Sequence, residues 1–249
     1  MVEESSALCE QVAGWWREIL SRTAASRLAV SVLYSGGLDS SLVAAGLRSI
    51  AEVELVTVGV PGSSDLLSGE DGARLLGLPW KQRVITLRDV QRVVQENPEI
   101  DRASPGSKSV QVAIALGLEA TSRPEVYCGQ GADELFLGYA HFEGIPADAA
   151  GRRRDSDLQK LLGDDWPLSQ SIAARLGKRL HSPFLDPEFL NQVRALSIEQ
   201  LRSGPARKPL LRQMAAELGL PKALAERPKK AFQYGSGVAR LLRQSARTS

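Results

Sequence analysis

The chain has 249 residues, 43% apolar and 24% charged, ordinary globular usage that excludes a collagenous, low-complexity or wholly disordered polymer. Its 31 basic and 29 acidic residues net to +2, but residues 202–249 hold eleven Lys/Arg against Glu217 and Glu226, a local +9 set against −7 for the remainder. No run of about 18 apolar residues offers a membrane span, the cysteines Cys9 and Cys128 form no C-x-x-C pair, and no apolar signal core opens the chain, so a reduced, cytoplasmic setting is expected.

Residues 7–25 place Leu8, Val12, Trp15, Trp16 and Ile19 near one face and predict an amphipathic helix. Leu28 to Tyr34 reads as a buried strand, followed by a glycine pair and a helix from Asp39 to about Ile50. Val53 to Gly59 is a second strand, and a turn at 61–64 leads to a helix from Asp65 to Leu76 that stops at Gly77. A third strand is expected over Arg83–Leu87, helices near 89–96 and 108–121, and a short fourth strand over Glu125–Cys128. The segment 143–157, with Gly144, Pro146, Gly151 and three arginines, is expected to be a mobile loop. Strands alternating with helices imply a parallel sheet with helices on both faces. The expected organisation is one domain over 1–249, with an α/β core over about 1–140 and a helical part with the basic arm over about 155–249.

Ser35-Gly36-Gly37-Leu38-Asp39-Ser40-Ser41 ends the first strand and opens a helix. Glycines let backbone N–H groups approach a phosphate, a helix N-terminus adds partial positive charge, and Asp39 can hold Mg²⁺ against phosphate charge. A phosphate or pyrophosphate ligand is expected. No G-x-x-x-x-G-K-S/T and no G-x-G-x-x-G occurs, so neither a Walker loop nor a dinucleotide fingerprint is present.

The S-G-G-x-D-S loop resembles that of ATP pyrophosphatases, and three further segments narrow the resemblance. Gly129-Gln130-Gly131-Ala132-Asp133-Glu134-Leu135-Phe136-Leu137-Gly138-Tyr139, Ser182-Pro183-Phe184-Leu185-Asp186 and Arg227-Pro228-Lys229-Lys230-Ala231-Phe232-Gln233-Tyr234-Gly235 resemble, in this order, segments of the asparagine synthetase family. The likeness runs from about residue 8 to 240. It implies an adenine nucleotide alpha hydrolase-like α/β fold with a C-terminal helical portion. It implies ATP held by Leu33, Ser35, Gly36, Gly37, Asp39, Ser40, Val58, Cys128, Gly129 and Lys229. It further implies Mg²⁺ shared by Asp39 and Asp133, and Lys229 stabilising phosphate and oxyanion charge. The 182–186 segment reads as structural, with Asp186 as a helix cap, and Cys128 reads best as a small buried thiol.

Two departures matter. Gln130 stands where the family usually has Glu, and an amide cannot take a proton at neutral pH. The synthetase-like helix starts almost at once, with no glutaminase segment ahead of it, so nitrogen is expected from free ammonia, a separate glutaminase subunit or an amine substrate. The leading reading is a ligase that adenylates a carboxylate, aspartate or a relative, releases pyrophosphate and forms an amide. An RNA-modifying ATP pyrophosphatase that uses the basic arm is the second reading, although nucleic acid is not the favoured partner of that arm. A non-catalytic ATP-binding regulatory subunit is the third. A homodimer is one open quaternary state.

Overall fold

The computed structural model describes residues 2–24, 29–204, 206–227 and 235–247. The chain opens with α1 (Val2–Ala24), β1 (Ala29–Leu33), α2 (Leu38–Leu47), β2 (Glu52–Gly59), α3 (Ser64–Leu76) and β3 (Trp80–Val84). The helices α4 (Leu87–Glu96), α5 (Pro98–Asp101) and α6 (Pro105–Ala120) then lead to β4 (Glu125–Tyr127) and α7 (Ala132–Leu135). After it come α8 (Ala147–Lys160), a π-helical turn (Leu161–Asp165), α9 (Trp166–Arg175), β5 (Arg179–His181) and α10 (Pro187–Arg194). The described chain ends with α11 (Ile198–Leu201), α12 (Pro209–Glu217), α13 (Lys222–Ala225) and α14 (Val238–Ser245).

The five strands form one parallel sheet in the order β3-β2-β1-β4-β5. Successive strand residues point to opposite faces, and β1 buries both of its faces, as a parallel sheet requires. Val30, Val32 and Tyr34 join a core with α1, α2, α10 and α12, in which Trp16 packs on Phe184 and Phe189 at 4.6 and 5.4 Å between ring centroids. On the opposite face Val58, Val126, Cys128 and Leu180 pack with α4, α6, α9 and α14. The expected α/β class with helices on both faces is what the structure has. The chain runs from β1 to one side of the sheet and later crosses to the other, so β1 and β4 flank the switch point, and a crevice opens outside their carboxyl ends.

Several boundaries differ from those expected. β3 lies three residues earlier, because Trp80-Lys81-Gln82-Arg83 looks polar yet forms the sheet edge. Trp80 Nε1 donates to Thr57 Oγ1 at 2.8 Å and Lys81 Nζ to Ala120 O at 2.8 Å, so polar side chains fasten this strand. The expected loop over 143–157 is helical from Ala147, and only its start, with Gly144 at φ +73°, remains a turn. Pairs at i,i+4 (Arg152–Asp148 at 3.0 Å, Arg153–Asp157 at 3.2 Å) support that helix despite Gly151. β5 has no counterpart among the expected strands, since three residues flanked by Gly177 and Pro183 carry no periodic signal. Gly77 takes the left-handed conformation expected of a helix stop, at φ 64° and ψ 33°.

Candidate active site

The glycine turn lies at the carboxyl end of β1. Gly36 has φ +73°, and a Cβ there would sit 2.2 Å from the Ser68 carbonyl oxygen, so no other residue fits. The serines knit the turn: Ser35 N–H donates to Ser40 Oγ at 3.3 Å, Gly37 N–H to Ser35 Oγ at 3.3 Å, and Ser40 Oγ to Gly37 O at 3.3 Å. Asp39 occupies the first turn of α2.

The second glycine segment closes against the first at the end of β4. A Cβ on Gly129 would stand 3.0 Å from Asp39 Cβ and 3.1 Å from Ser40 N. Gly131, at φ +89°, leaves room for Leu185. Ser182 Oγ donates to Gln130 O at 2.6 Å, and Phe184 and Leu185 are buried beneath, so this segment props the turn from below. Asp186 caps α10, accepting from Glu188 N–H at 3.0 Å and Phe189 N–H at 3.4 Å.

Asp39 and Asp133, one from each turn, converge on Lys208. Its Nζ lies 2.7 and 2.6 Å from the two Asp39 oxygens and 2.5 Å from Asp133 Oδ1. Lys208 is 4% exposed. Burial alone lowers an ammonium pKa, but Asp133 and then Asp39 more than reverse it, so the amine is held charged above its usual range. The two carboxylates therefore already face one cation, and their hard oxygens are of the kind that would suit Mg²⁺.

Two cavities meet at Ser35, Asp39 and Asp133. The first, about 440 Å³, runs between the glycine turn and α3 and is walled by Ser64, Asp65, Asp71, Arg207, Lys208 and Arg227 among others. The second, about 460 Å³, has an apolar wall of Leu33, Val110, Ile114 and Cys128 and a polar wall that includes Gln130, Glu134, Tyr139, His141 and Lys160. Val58 lies just behind Leu33, where Gly117 lets α6 approach. Burial pushes the Cys128 thiol up to about 12, so it stays a neutral small apolar group, and its sulfur contacts Gln130 Oε1 at 3.8 Å. Lys229, the residue expected to carry phosphate charge, lies outside the described residues.

The chain pattern places Glu134 beside Asp133 as a carboxylate facing a metal–triphosphate, but it gives no individual role to Tyr139 or Arg227. Tyr139 donates its hydroxyl to Glu134 Oε1 at 2.6 Å. Burial first, and the Asp133 charge second, push the Glu134 carboxyl up to about 7 from its ordinary 4.5. The folded protein thus binds a proton here that the unfolded chain has released, and stability falls as pH rises from about 5 to 7. In metal-free protein, Glu134→Gln is expected to flatten that part of the melting-temperature profile and to melt higher than wild type above pH 7. An unchanged slope across that range would show that Glu134 does not titrate there.

Much of the arm's charge is spent within the molecule. Arg202 donates to Ile145 O at 2.8 Å and Phe142 O at 2.5 Å, and Arg207 pairs with Glu143 at 2.5 Å. Arg212 donates to the carbonyls of Arg207, Ala225 and Arg227. Arg227 donates to Gly36 O and Ser68 O, each at 2.9 Å, and pairs with Asp71 at 2.5 Å.

A doubly wound parallel sheet with a glycine turn and converging carboxylates at its switch point defines a domain of the nucleotide-binding α/β class. Residues 16–179 and 146–249 match the profile of the asparagine synthase family, and the chain belongs to that family. It is 31% identical to a Methanocaldococcus jannaschii protein that bears the name of a glutamine-hydrolyzing asparagine synthetase, over 88% of this chain and 48% of that protein. To the glutamine-hydrolyzing asparagine synthetase of Gallus gallus it is 30% identical, over 83% of this chain and 39% of that protein. The chain thus spans about half the length, or less, of these curated relatives. Among solved structures, an NMN synthetase from Francisella tularensis aligns over 98% of this chain and 87% of its own, with TM-score 0.47 and 11% identity. Among the described residues no helix is long and apolar enough to cross a membrane.

Proposed function

We propose that this domain is an ATP-dependent, AMP-forming carbon–nitrogen ligase. The observation that carries the reading is the convergence of Asp39 and Asp133 on one cation at the junction of two cavities. The first cavity takes the β- and γ-phosphates on Ser35, Gly36, Gly37 and Ser40, and the second takes adenine against Leu33 and Cys128, with Val58 behind them and Gly129 at the junction. Asp39 and Asp133 would hold Mg²⁺, which when bound would supply charge neutralisation for the leaving pyrophosphate. A substrate carboxylate oxygen attacks the α-phosphorus and the bond to the β-phosphate oxygen breaks. Ammonia or an amine then attacks the acyl carbon, AMP leaves, and one proton is released. Gln130 orients the acceptor by donating or accepting a hydrogen bond, since it cannot act as the base.

Aspartate is the first carboxylate to test, with related acids beside it, and ammonium, glutamine with a separate glutaminase, and small amines as nitrogen donors. Exchange of labelled pyrophosphate into ATP across that panel is the deciding assay. Exchange that depends on one carboxylate supports the reading. ATP binding without exchange under any carboxylate would instead favour a regulatory subunit. Lys229→Ala is expected to cut exchange at least about 100-fold, the scale for removing a charge-stabilising donor, while the melting temperature stays within a few degrees. Survival of exchange would remove Lys229 from its assigned role.

The internal use of Arg202, Arg207, Lys208, Arg212 and Arg227 argues against a nucleic-acid role for the arm. Filter binding to bulk tRNA is expected to be weak and to show a shallow salt slope. A slope of about six or more phosphate contacts would reinstate RNA as a partner.

A further inference from the structure

Lys208 stands where a metal reading of Asp39 and Asp133 would place a divalent cation. All three of its ammonium protons can be taken by carboxylate oxygens within 2.7 Å. The fit is specific. Lys208 holds a left-handed backbone, φ 55° and ψ 50°, which is strained for a non-glycine residue. Gly138 has no Cβ, and one there would meet Lys208 Cε at 2.1 Å and Asp133 Oδ1 at 2.2 Å. Strain at one residue and a glycine at another are both tolerated around this contact.

Among these three groups, two carboxylates and one ammonium sum to a net charge of −1. A bare divalent cation would have to share the carboxylates with a buried ammonium a few ångströms away, a like-charge repulsion that water screens poorly at a buried site. A divalent cation that arrives on a polyphosphate brings the negative charge that offsets this repulsion and gives the displaced ammonium a new partner.

We propose that Lys208 is the resident counter-cation of the Asp39–Asp133 pair, and that it closes the pair to free divalent cations while admitting the metal–nucleotide complex. The inference rests on the reading of these aspartates as the metal ligands.

The test uses Mn²⁺ alone as the probe, with free Mn²⁺ measured by electron paramagnetic resonance on the nucleotide-free full chain. Lys208→Met is expected to bind Mn²⁺ at least roughly tenfold more tightly than wild type, the equivalent of 1.4 kcal/mol. Adding Asp39→Asn to that variant is expected to abolish the gain. Binding by Lys208→Met that is no tighter than wild type overturns the proposal. Tighter binding that survives Asp39→Asn overturns it too, and takes the metal-site reading with it.

A second measurement needs no variant at this lysine. Acetic anhydride labelling of wild type, mapped by mass spectrometry, is expected to find Lys208 protected in the free protein. Labelling is expected to rise severalfold at Mn²⁺ concentrations that saturate Asp39-dependent binding. Unchanged labelling at such saturation means that the ammonium was never exchanged, and the proposal fails.

Discussion

Asp39→Asn is expected to reduce pyrophosphate exchange by more than about 100-fold and to destabilise the ligand-free domain by about 3 kcal/mol. The two losses have one origin. Asp39 carries two of the three short contacts to the buried Lys208 ammonium. Removing one partner of a buried pair leaves an uncompensated charge, which costs about 3–5 kcal/mol, and the surviving Asp133 contact at 2.5 Å puts the expected loss at the low end. The activity loss comes from the same carboxylate as proposed metal ligand. The variant keeps its size and an acceptor oxygen, so packing against Gly129 is preserved. Thermal melts and exchange assays on one preparation separate the effects. Saturating Mn²⁺ that restores exchange without restoring the melting temperature fits both roles. Wild-type exchange in Asp39→Asn would eliminate the metal assignment, and an unchanged melting temperature would eliminate the structural weight of the ion pair.

How much of the molecule is legible in the chain varies with how local each feature is. The glycine turn can be read at once, because strand, glycines and helix start lie within a few residues and backbone geometry demands them together. The capping roles of Gly77 and Asp186 are local in the same way. The junction of the two cavities is half legible: both glycine segments can be placed at strand ends, but their closure across Gly129 depends on β1 and β4 being neighbours. Lys208 stands in a basic segment whose natural partner is phosphate. Its contact with Asp39 lies 169 residues away in sequence and has no periodic signature. The arm shows the same limit. A +9 composition reads as a surface for anions, yet Arg202 and Arg212 end chiefly on backbone carbonyls, where a fixed fork of donors satisfies several acceptors at once. Composition counts charges and cannot tell which of them are already engaged. Edge strand β3 is misplaced for a related reason, since solvent on one side permits polar residues that a central strand would not carry.

Arg227→Met is expected to be as damaging to exchange as loss of an aspartate, though Arg227 is assigned no contact with reacting atoms. Its guanidinium reaches Gly36 O, Ser68 O and Asp71 together, so it binds the glycine turn to α3. Its own carbonyl accepts from Arg212, which ties the same point to α12. Two residues further along the chain stands Lys229. One side chain therefore sets the turn proposed to cradle the phosphates, and it does so two residues before the proposed charge-stabilising lysine. Methionine fills the volume but leaves two inward carbonyls without their donor, at about 1–3 kcal/mol each when buried. Relaxation of the turn by about 1 Å is enough to cost roughly 100-fold in rate. If the turn binds nucleotide as proposed, the KM for ATP is expected to rise while kcat falls. Arg227→Lys offers one ammonium for three acceptors and is expected to recover part of the stability and little of the rate. Asp71→Asn keeps an oxygen for the guanidinium and is expected to stay within about tenfold of wild type, since the carbonyl contacts survive. If Arg227→Met retains a wild-type KM for ATP and loses only stability, Arg227 is a fold contact and does not position the phosphate turn.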